Sequence, residues 1–77
     1  MKRLQILGAK CRESEKLAQN TKAAAQSAQI QFVMEEITDV TRIADFGVTM
    51  TPALAINGEV KSQGKILSVK EIEALIA

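Results

Sequence analysis

The chain has 77 residues, of which 47% are hydrophobic and 25% charged, a composition typical of one small globular domain spanning residues 1–77. A net charge of +1 without a basic block argues against nucleic acid or an anionic membrane as the partner. The single cysteine excludes an internal disulfide framework, and the lack of histidine removes the commonest general base and metal ligand. The first residues lack the apolar core of a signal peptide, and we expect a cytoplasmic location.

The first half of the chain predicts a strand, a long helix and a second strand. Residues 3–7 form an apolar strand that Gly8 ends. Residues 12 to about 28 contain no glycine or proline, and their apolar face is rich in alanine, so this helix should lie close to the sheet. Residues 30–37 predict a second strand with an apolar, buried centre at Phe32, Val33 and Met34. A strand-helix-strand unit of about 30 residues implies parallel pairing with a right-handed crossover.

The second half predicts a short helix, a hairpin and a final helix. Thr38 or Asp39 can cap a helix to about residue 46, which Gly47 closes. Residues 53–56 and 59–63 are strands joined by the hairpin turn Asn57-Gly58, and the second of them is expected at an edge.

The final helix has a clear start. Ser68 and Glu71 match a capping box, and the predicted buried face consists of Val69, Ile72, Leu75 and Ile76. The predicted order is β-α-β-α-β-β-α. This is an α/β fold with a four-stranded mixed sheet, strand order 2-1-3-4, and helices on both faces.

The cysteine lies where the first strand turns into the long helix. There Cys11 would point its sulfur at the free N–H groups of the first helical turn, which favour the reactive thiolate. The flanking Lys10 and Arg12 also favour the thiolate, whereas Glu13 opposes it. Ser14 is a neighbour in the first turn, and its hydroxyl can donate a hydrogen bond to the sulfur. The alternative is a small buried cysteine beside an ordinary polar serine.

Several short motifs follow one another along the chain: Leu7-Gly8-Ala9-Lys10-Cys11-Arg12-Glu13-Ser14, Phe46-Gly47-Val48, Thr51-Pro52-Ala53-Leu54, Asn57-Gly58, Gly64, and Ser68 with Glu71. In this order they resemble the small thioredoxin-like proteins of archaea and bacteria, sometimes called redox-active disulfide proteins. The resemblance covers essentially the whole chain. It implies a thioredoxin-like fold and a thiol–disulfide oxidoreductase in which Cys11 is the nucleophile.

One departure from the family pattern concerns the second cysteine of Cys-x-x-Cys, which is Ser14 here. In the family, the first cysteine forms a mixed disulfide with the substrate and the second cysteine resolves it. Ser14 therefore marks either a natural monothiol protein or a deliberate replacement of the resolving cysteine. The resemblance further implies that Pro52 is cis and faces the cysteine, although most X–Pro bonds are trans. It also implies that Thr51 offers backbone groups to an extended substrate.

Three functions are compatible with these features. The favoured one is an oxidoreductase without a cofactor or metal, which reacts with disulfide-containing proteins or low-molecular-weight thiols and takes electrons from a thiol reductase. The second is a non-catalytic interaction module with the same fold. The third is soft-metal binding through Cys11 and Met50, although two soft ligands without histidine form a poor site. The alternative for Met50 is a side chain that fills the core, as methionine usually does. A lone exposed thiol also allows a dimer linked through Cys11.

Overall fold

The computed structural model describes residues 1–9 and 11–76 of the chain. Its elements are β1 (Lys2–Leu7), α1 (Arg12–Ser27), β2 (Phe32–Ile37), α2 (Val40–Asp45), β3 (Ala53–Ile56), β4 (Glu59–Gln63) and α3 (Val69–Ile76). The predicted order of elements is confirmed. The second strand starts later than residue 30, because Ile30 N–H bonds back to Ala25 C=O and Gln29 has a positive φ of 56°. Ile30 therefore belongs to the turn after α1.

The four strands form one mixed sheet with the predicted order β2-β1-β3-β4. β1 and β2 are parallel, with Leu7 opposite Ile37. β1 and β3 are antiparallel, as are β3 and β4, whose register shifts between Leu54 and Ala55. The central strand β1 ends at Leu7. The segment that follows it therefore starts between the ends of the neighbouring strands β2 and β3.

Both faces of the sheet are covered, as predicted, but unequally. On one face Leu4 and Ile6 pack with residues of α1 and α3, among them Leu17 and Ile72. The other face carries a smaller buried cluster around Leu7 that consists of Leu7, Ile37, Ala53 and Ala55. α2 and the residues after it pack on that cluster through Ile43, Phe46 and Val48. Burial of aliphatic side chains on both faces is the main source of the stability of the fold.

Part of the second face is not covered by a helix, and there the sequence-based prediction of burial is wrong. Val33 is 44% exposed, because β2 is an edge strand and the six-residue helix α2 covers only the other end of this face. Gln5 is buried instead: its side chain donates to Glu35 at 3.2 Å and accepts from Gly58 N–H at 2.8 Å. Arg3 also pairs with Glu35.

Two further side chains that the sequence assigned to the interior are exposed. Leu75, expected on the buried face of α3, is 38% exposed, whereas Ile72 and Ile76 on the same helix are buried. Met50, expected as core filler, is 61% exposed and packs beside Gly64.

The capping box of α3 is present as predicted. Glu71 N–H donates to Ser68 Oγ at 3.2 Å, and Ser68 N–H donates to Glu71 Oε1 at 3.1 Å. The backbone hydrogen bond from Ser68, followed by its side-chain hydrogen bond and the charge of Lys65, lowers the pKa of the Glu71 carboxyl below its usual value. The ionised carboxylate therefore stabilises the folded state.

Replacing Glu71 by glutamine should change how stability depends on pH. The pKa of Glu71 is lower in the folded state than its usual value of 4.5. The carboxylate therefore stabilises the fold fully above pH 4.5, and this stabilisation is lost as the pH falls through the folded-state pKa. Glu71→Gln should therefore lose less stability than the wild type between neutral pH and this acid range. Urea unfolding over a pH series measures the difference, and Glu73→Gln on the same helix is the control. Equal acid losses in wild type and Glu71→Gln would contradict the cap contribution.

Candidate functional site

Three segments of the chain meet at Gly8, directly after β1. Gly8 N–H bonds to Ile37 C=O at 3.0 Å, and the φ of Gly8 is +152°. A Cβ atom at this position would lie 2.9 Å from Ser14 Oγ, 3.3 Å from Thr51 Cβ and 3.5 Å from Pro52 Cα. The first turn of α1 and the residues before β3 therefore approach the same point. The structure thus brings together Ser14, Thr51 and Pro52, three of the four predicted site residues.

The fourth predicted residue, Cys11, is the N-cap of α1. Its backbone is extended, with φ −139° and ψ 173°, and its carbonyl accepts the hydrogen bond from Glu15 N–H that begins the helix. The Cys11 side chain is half-buried, and its Sγ lies 3.5 Å from Oγ of the buried Ser14. Cys11 and Ser14 thus form a contact at the start of the helix, beside the point where the three segments meet.

The contacts of the sulfur differ from the expectation based on the helix start. The side chain of Cys11 makes no capping hydrogen bond to the N–H groups of the first turn. Instead, Sγ donates to Oε2 of the exposed Glu13 at 3.4 Å. The negative charge of Glu13 therefore lies beside the sulfur, opposite in sign to the partial charge of the helix N-terminus. Lys10, which was also expected to influence the sulfur, lies outside the described residues.

Hydrogen bonds to a side chain of β4 hold the loop before β3 in place. Gln63 Oε1 accepts hydrogen bonds from Thr49 N–H at 2.9 Å and Met50 N–H at 3.4 Å. The peptide bond between Thr51 and Pro52 is cis, and Pro52 C=O accepts from Gly64 N–H at 2.9 Å. Pro52 is buried while Thr51 is exposed at the surface of the site. Sequence reasoning missed Gln63, because its role depends on strand pairing across the hairpin.

Two grooves meet at Ala9 and Thr38, and one of them is also lined by Ser14. The first, the apolar groove, is lined by Ala9, Thr38, Val40, Ile43, Val48 and Thr51. The second, the acidic notch, is lined by Gly8, Ala9, Ser14, Glu15, Glu36 and Thr38. Sequence reasoning missed both grooves. One part of the notch was predictable from the sequence. Glu36 lies near the C-terminal end of β2, and α1 starts after the C-terminal end of β1. These two ends lie side by side because the strands are parallel.

Over residues 1–9 and 11–76, no three Cys, Asp or Glu side chains are grouped closely enough to hold a metal ion. None of the helices in this described part of the chain has the length and apolar character needed to cross a membrane.

Comparison with known proteins agrees with the fold. Residues 2–77 match the family model of the thioredoxin domain. A thioredoxin of Methanothermobacter thermautotrophicus (strain Delta H) is 31% identical over the full length of both chains. A thioredoxin of Methanocaldococcus jannaschii is 33% identical over 70 residues, which are 91% of this chain and 80% of that protein. The chain therefore belongs to the thioredoxin domain family, as a small thioredoxin-like member.

Replacing Gly8 by alanine should disturb the site and the fold together. The new methyl group would meet Ser14 Oγ and Thr51 Cβ in a backbone conformation that L-residues rarely adopt. We expect a loss of about 3 kcal/mol in the free energy of unfolding from strain and overpacking. Gly47→Ala is the matched control, because Gly47 also has a positive φ of 80° but has open space around it, and should lose only about 1 kcal/mol. Equal losses in urea unfolding would show that the close approach at Gly8 is unimportant.

Replacing Glu13 by glutamine should make Cys11 more reactive. The substitution removes the negative charge that accepts the S–H hydrogen bond but keeps a side chain of similar shape. Alkylation by iodoacetamide at neutral pH should become about two- to fivefold faster, the range expected for an exposed charge interaction. Glu15→Gln, which removes a carboxylate that does not contact the sulfur, is the control. An unchanged rate in Glu13→Gln would contradict a role for this carboxylate.

Proposed function

We propose that the protein acts as a thiol–disulfide oxidoreductase of the thioredoxin type, with Cys11 as nucleophile and Ser14 in the place of the resolving cysteine. The observation that carries the proposal is the 3.5 Å contact between Cys11 Sγ and Ser14 Oγ at the N-terminus of α1. The exposed Thr51, next to the buried Pro52, lies close to Ser14 across Gly8. Membership of the thioredoxin domain family supports the same chemistry.

The reaction starts when Cys11 loses its thiol proton. Its sulfur attacks one sulfur of a substrate disulfide, a new S–S bond forms, and the substrate S–S bond breaks. The second substrate sulfur leaves as a thiolate and takes up a proton. Ser14 has no thiol, so it cannot displace the substrate from this mixed disulfide. An external thiol, from a small molecule or a thiol reductase, attacks Cys11 Sγ next, and the substrate leaves as its second thiolate. A second external thiol then attacks the new mixed disulfide and restores Cys11, so that two external thiols form one disulfide for each substrate disulfide reduced.

The other site residues have positioning roles in this proposal. The Ser14 hydroxyl donates a hydrogen bond to the Cys11 sulfur once the thiol is deprotonated. The exposed Thr51 offers its backbone to an extended chain, which pairs beside the nucleophile as an added strand would. Pro52 holds the loop in place through the hydrogen bond of its carbonyl with Gly64. A cytoplasmic location and a dimer linked through Cys11 stay predictions.

Restoring a second thiol should allow the protein to release its substrate from the mixed disulfide and to react repeatedly. In Ser14→Cys, the new sulfur would lie close enough to Cys11 Sγ for a disulfide after a small adjustment, since the present contact is 3.5 Å. We expect the free-thiol titre of Ser14→Cys to fall to zero on mild oxidation, and its reduction of insulin with dithiothreitol to exceed that of the wild type by about tenfold or more, as an intramolecular step replaces a bimolecular one.

Two further variants complete this test. Ser14→Ala should, like the wild type, accumulate a mixed disulfide that mass spectrometry detects, and Cys11→Ser should form none. If Cys11 of the folded wild type does not react with disulfides, although it reacts after unfolding, the oxidoreductase proposal fails. The non-catalytic interaction module would then be the better interpretation.

A further inference from the structure

The last residue of β4 has a role in the reaction that its place at the edge of the sheet does not suggest. We propose that Gln63 is a positioning residue for the disulfide exchange: it holds the loop before β3 so that Thr51 presents its backbone to the substrate beside Cys11. In this role Gln63 acts through the loop rather than on the sulfur. The inference rests on the proposed function, because it concerns how the substrate of Cys11 is held.

A single oxygen atom binds two successive residues of the loop. Gln63 Oε1 accepts hydrogen bonds from Thr49 N–H at 2.9 Å, from Thr49 Oγ1 at 3.3 Å and from Met50 N–H at 3.4 Å. Thr49 and Met50 belong to no strand, and the side-chain oxygen takes the place that the carbonyl of a paired strand would have. The feature of Gln63 that matters is therefore an oxygen acceptor at the end of its side chain.

The residue after Gln63 holds the same loop on the other side of Thr51. Gly64 N–H donates to Pro52 C=O at 2.9 Å. A Cβ atom on Gly64 would lie 3.0 Å from Met50 Cε and 3.3 Å from Met50 Cβ, so the methionine side chain lies directly against the glycine. Gln63 and Gly64 together hold the residues immediately before and after Thr51.

Thr51 lies between these two points of attachment and has its own backbone groups available. It is exposed, and no hydrogen bond joins its N–H or C=O to any residue in the described ranges 1–9 and 11–76. Thr51 Cβ and Ser14 Oγ both approach the point where a Cβ atom of Gly8 would lie, at 3.3 and 2.9 Å. Ser14 Oγ in turn lies 3.5 Å from Cys11 Sγ. An extended chain that pairs with Thr51 is therefore held close to the sulfur.

The role of Gln63 should depend on the kind of substrate. Without its oxygen, the loop loses its attachment before Thr51 and has to be ordered again when a chain pairs with it, which weakens docking. A small disulfide without a peptide backbone does not pair with Thr51 and does not bear this cost. A positioning role thus predicts a loss of rate with peptide disulfides alone, whereas a general loss of structure would affect both kinds of substrate.

The test compares Gln63→Met, which has a similar length but no oxygen, with Gln63→Glu, which keeps an oxygen acceptor. Gln63 is exposed at the end of an edge strand, so both variants should fold. The probes are the uncharged disulfide of acetyl-Ala-Cys-Ala-amide and hydroxyethyl disulfide, and mass spectrometry follows the rate of mixed-disulfide formation at Cys11. Gln63→Met should react about fivefold more slowly with the peptide, the size expected for one net hydrogen bond, and at the wild-type rate with hydroxyethyl disulfide. Gln63→Glu should keep both wild-type rates.

Two controls separate positioning from other effects of the substitution. Gln19→Met makes the same replacement at an exposed position of α1 and should change neither rate. The same peptide disulfide with every backbone nitrogen methylated has no N–H group to donate to Thr51 and cannot pair as a strand. It should react equally fast with the wild type and with Gln63→Met.

Three results would overturn the inference. These are a wild-type peptide rate in Gln63→Met, a loss of rate that hydroxyethyl disulfide or the methylated peptide shares equally, and a Gln63→Glu variant as slow as Gln63→Met. Each of them leaves the proposed function intact, because Cys11 still reacts. If Cys11 of the folded wild type reacts with neither the peptide nor hydroxyethyl disulfide, the proposed function itself fails.

Discussion

The site depends on the absence of a side chain at Gly8. At this position the end of the central strand, the first turn of α1 and the loop before β3 come within van der Waals distance of one point. No element alone carries the site, since Cys11 and Ser14 belong to the helix start and Thr51 and Pro52 to a loop more than 35 residues later. The sheet brings the two together, because β1 and β3 are neighbours and Leu7 pairs with Ala53.

The surroundings of the sulfur combine opposing electrostatic effects. The N-terminus of a 16-residue helix places a positive partial charge near Cys11, whereas the Glu13 carboxylate in contact with Sγ places a negative charge there. The Ser14 hydroxyl can donate a hydrogen bond to the sulfur or accept one from it. The reactivity of this thiol therefore reflects a balance between the backbone and one exposed side chain.

Local patterns in the sequence predicted most of the fold. They did not predict where individual side chains lie or how exposed they are. The capping box of α3 and the hairpin at Asn57-Gly58 are local signals, and both correspond to structure. The burial of Val33 was mispredicted because it depends on how far α2 extends over the sheet. Likewise, the direction of the Cys11 sulfur depends on competition between Glu13 and the backbone N–H groups, which spacing does not decide. Both grooves arise from segments far apart in the sequence.

The buried Gln5 helps to set the register of β1 in the sheet. Its amide is 1% exposed and links β2, through Glu35, with the turn at Gly58. A slip of β1 by one residue would turn Gln5 toward the aliphatic core and Leu4 toward the polar side. The misaligned chain would then bury an amide without partners, at a cost of several kcal/mol. Gln5 thereby discriminates against wrong pairings, and because Gly8 lies three residues further on, it also sets where Gly8 and the candidate site lie relative to the neighbouring strands.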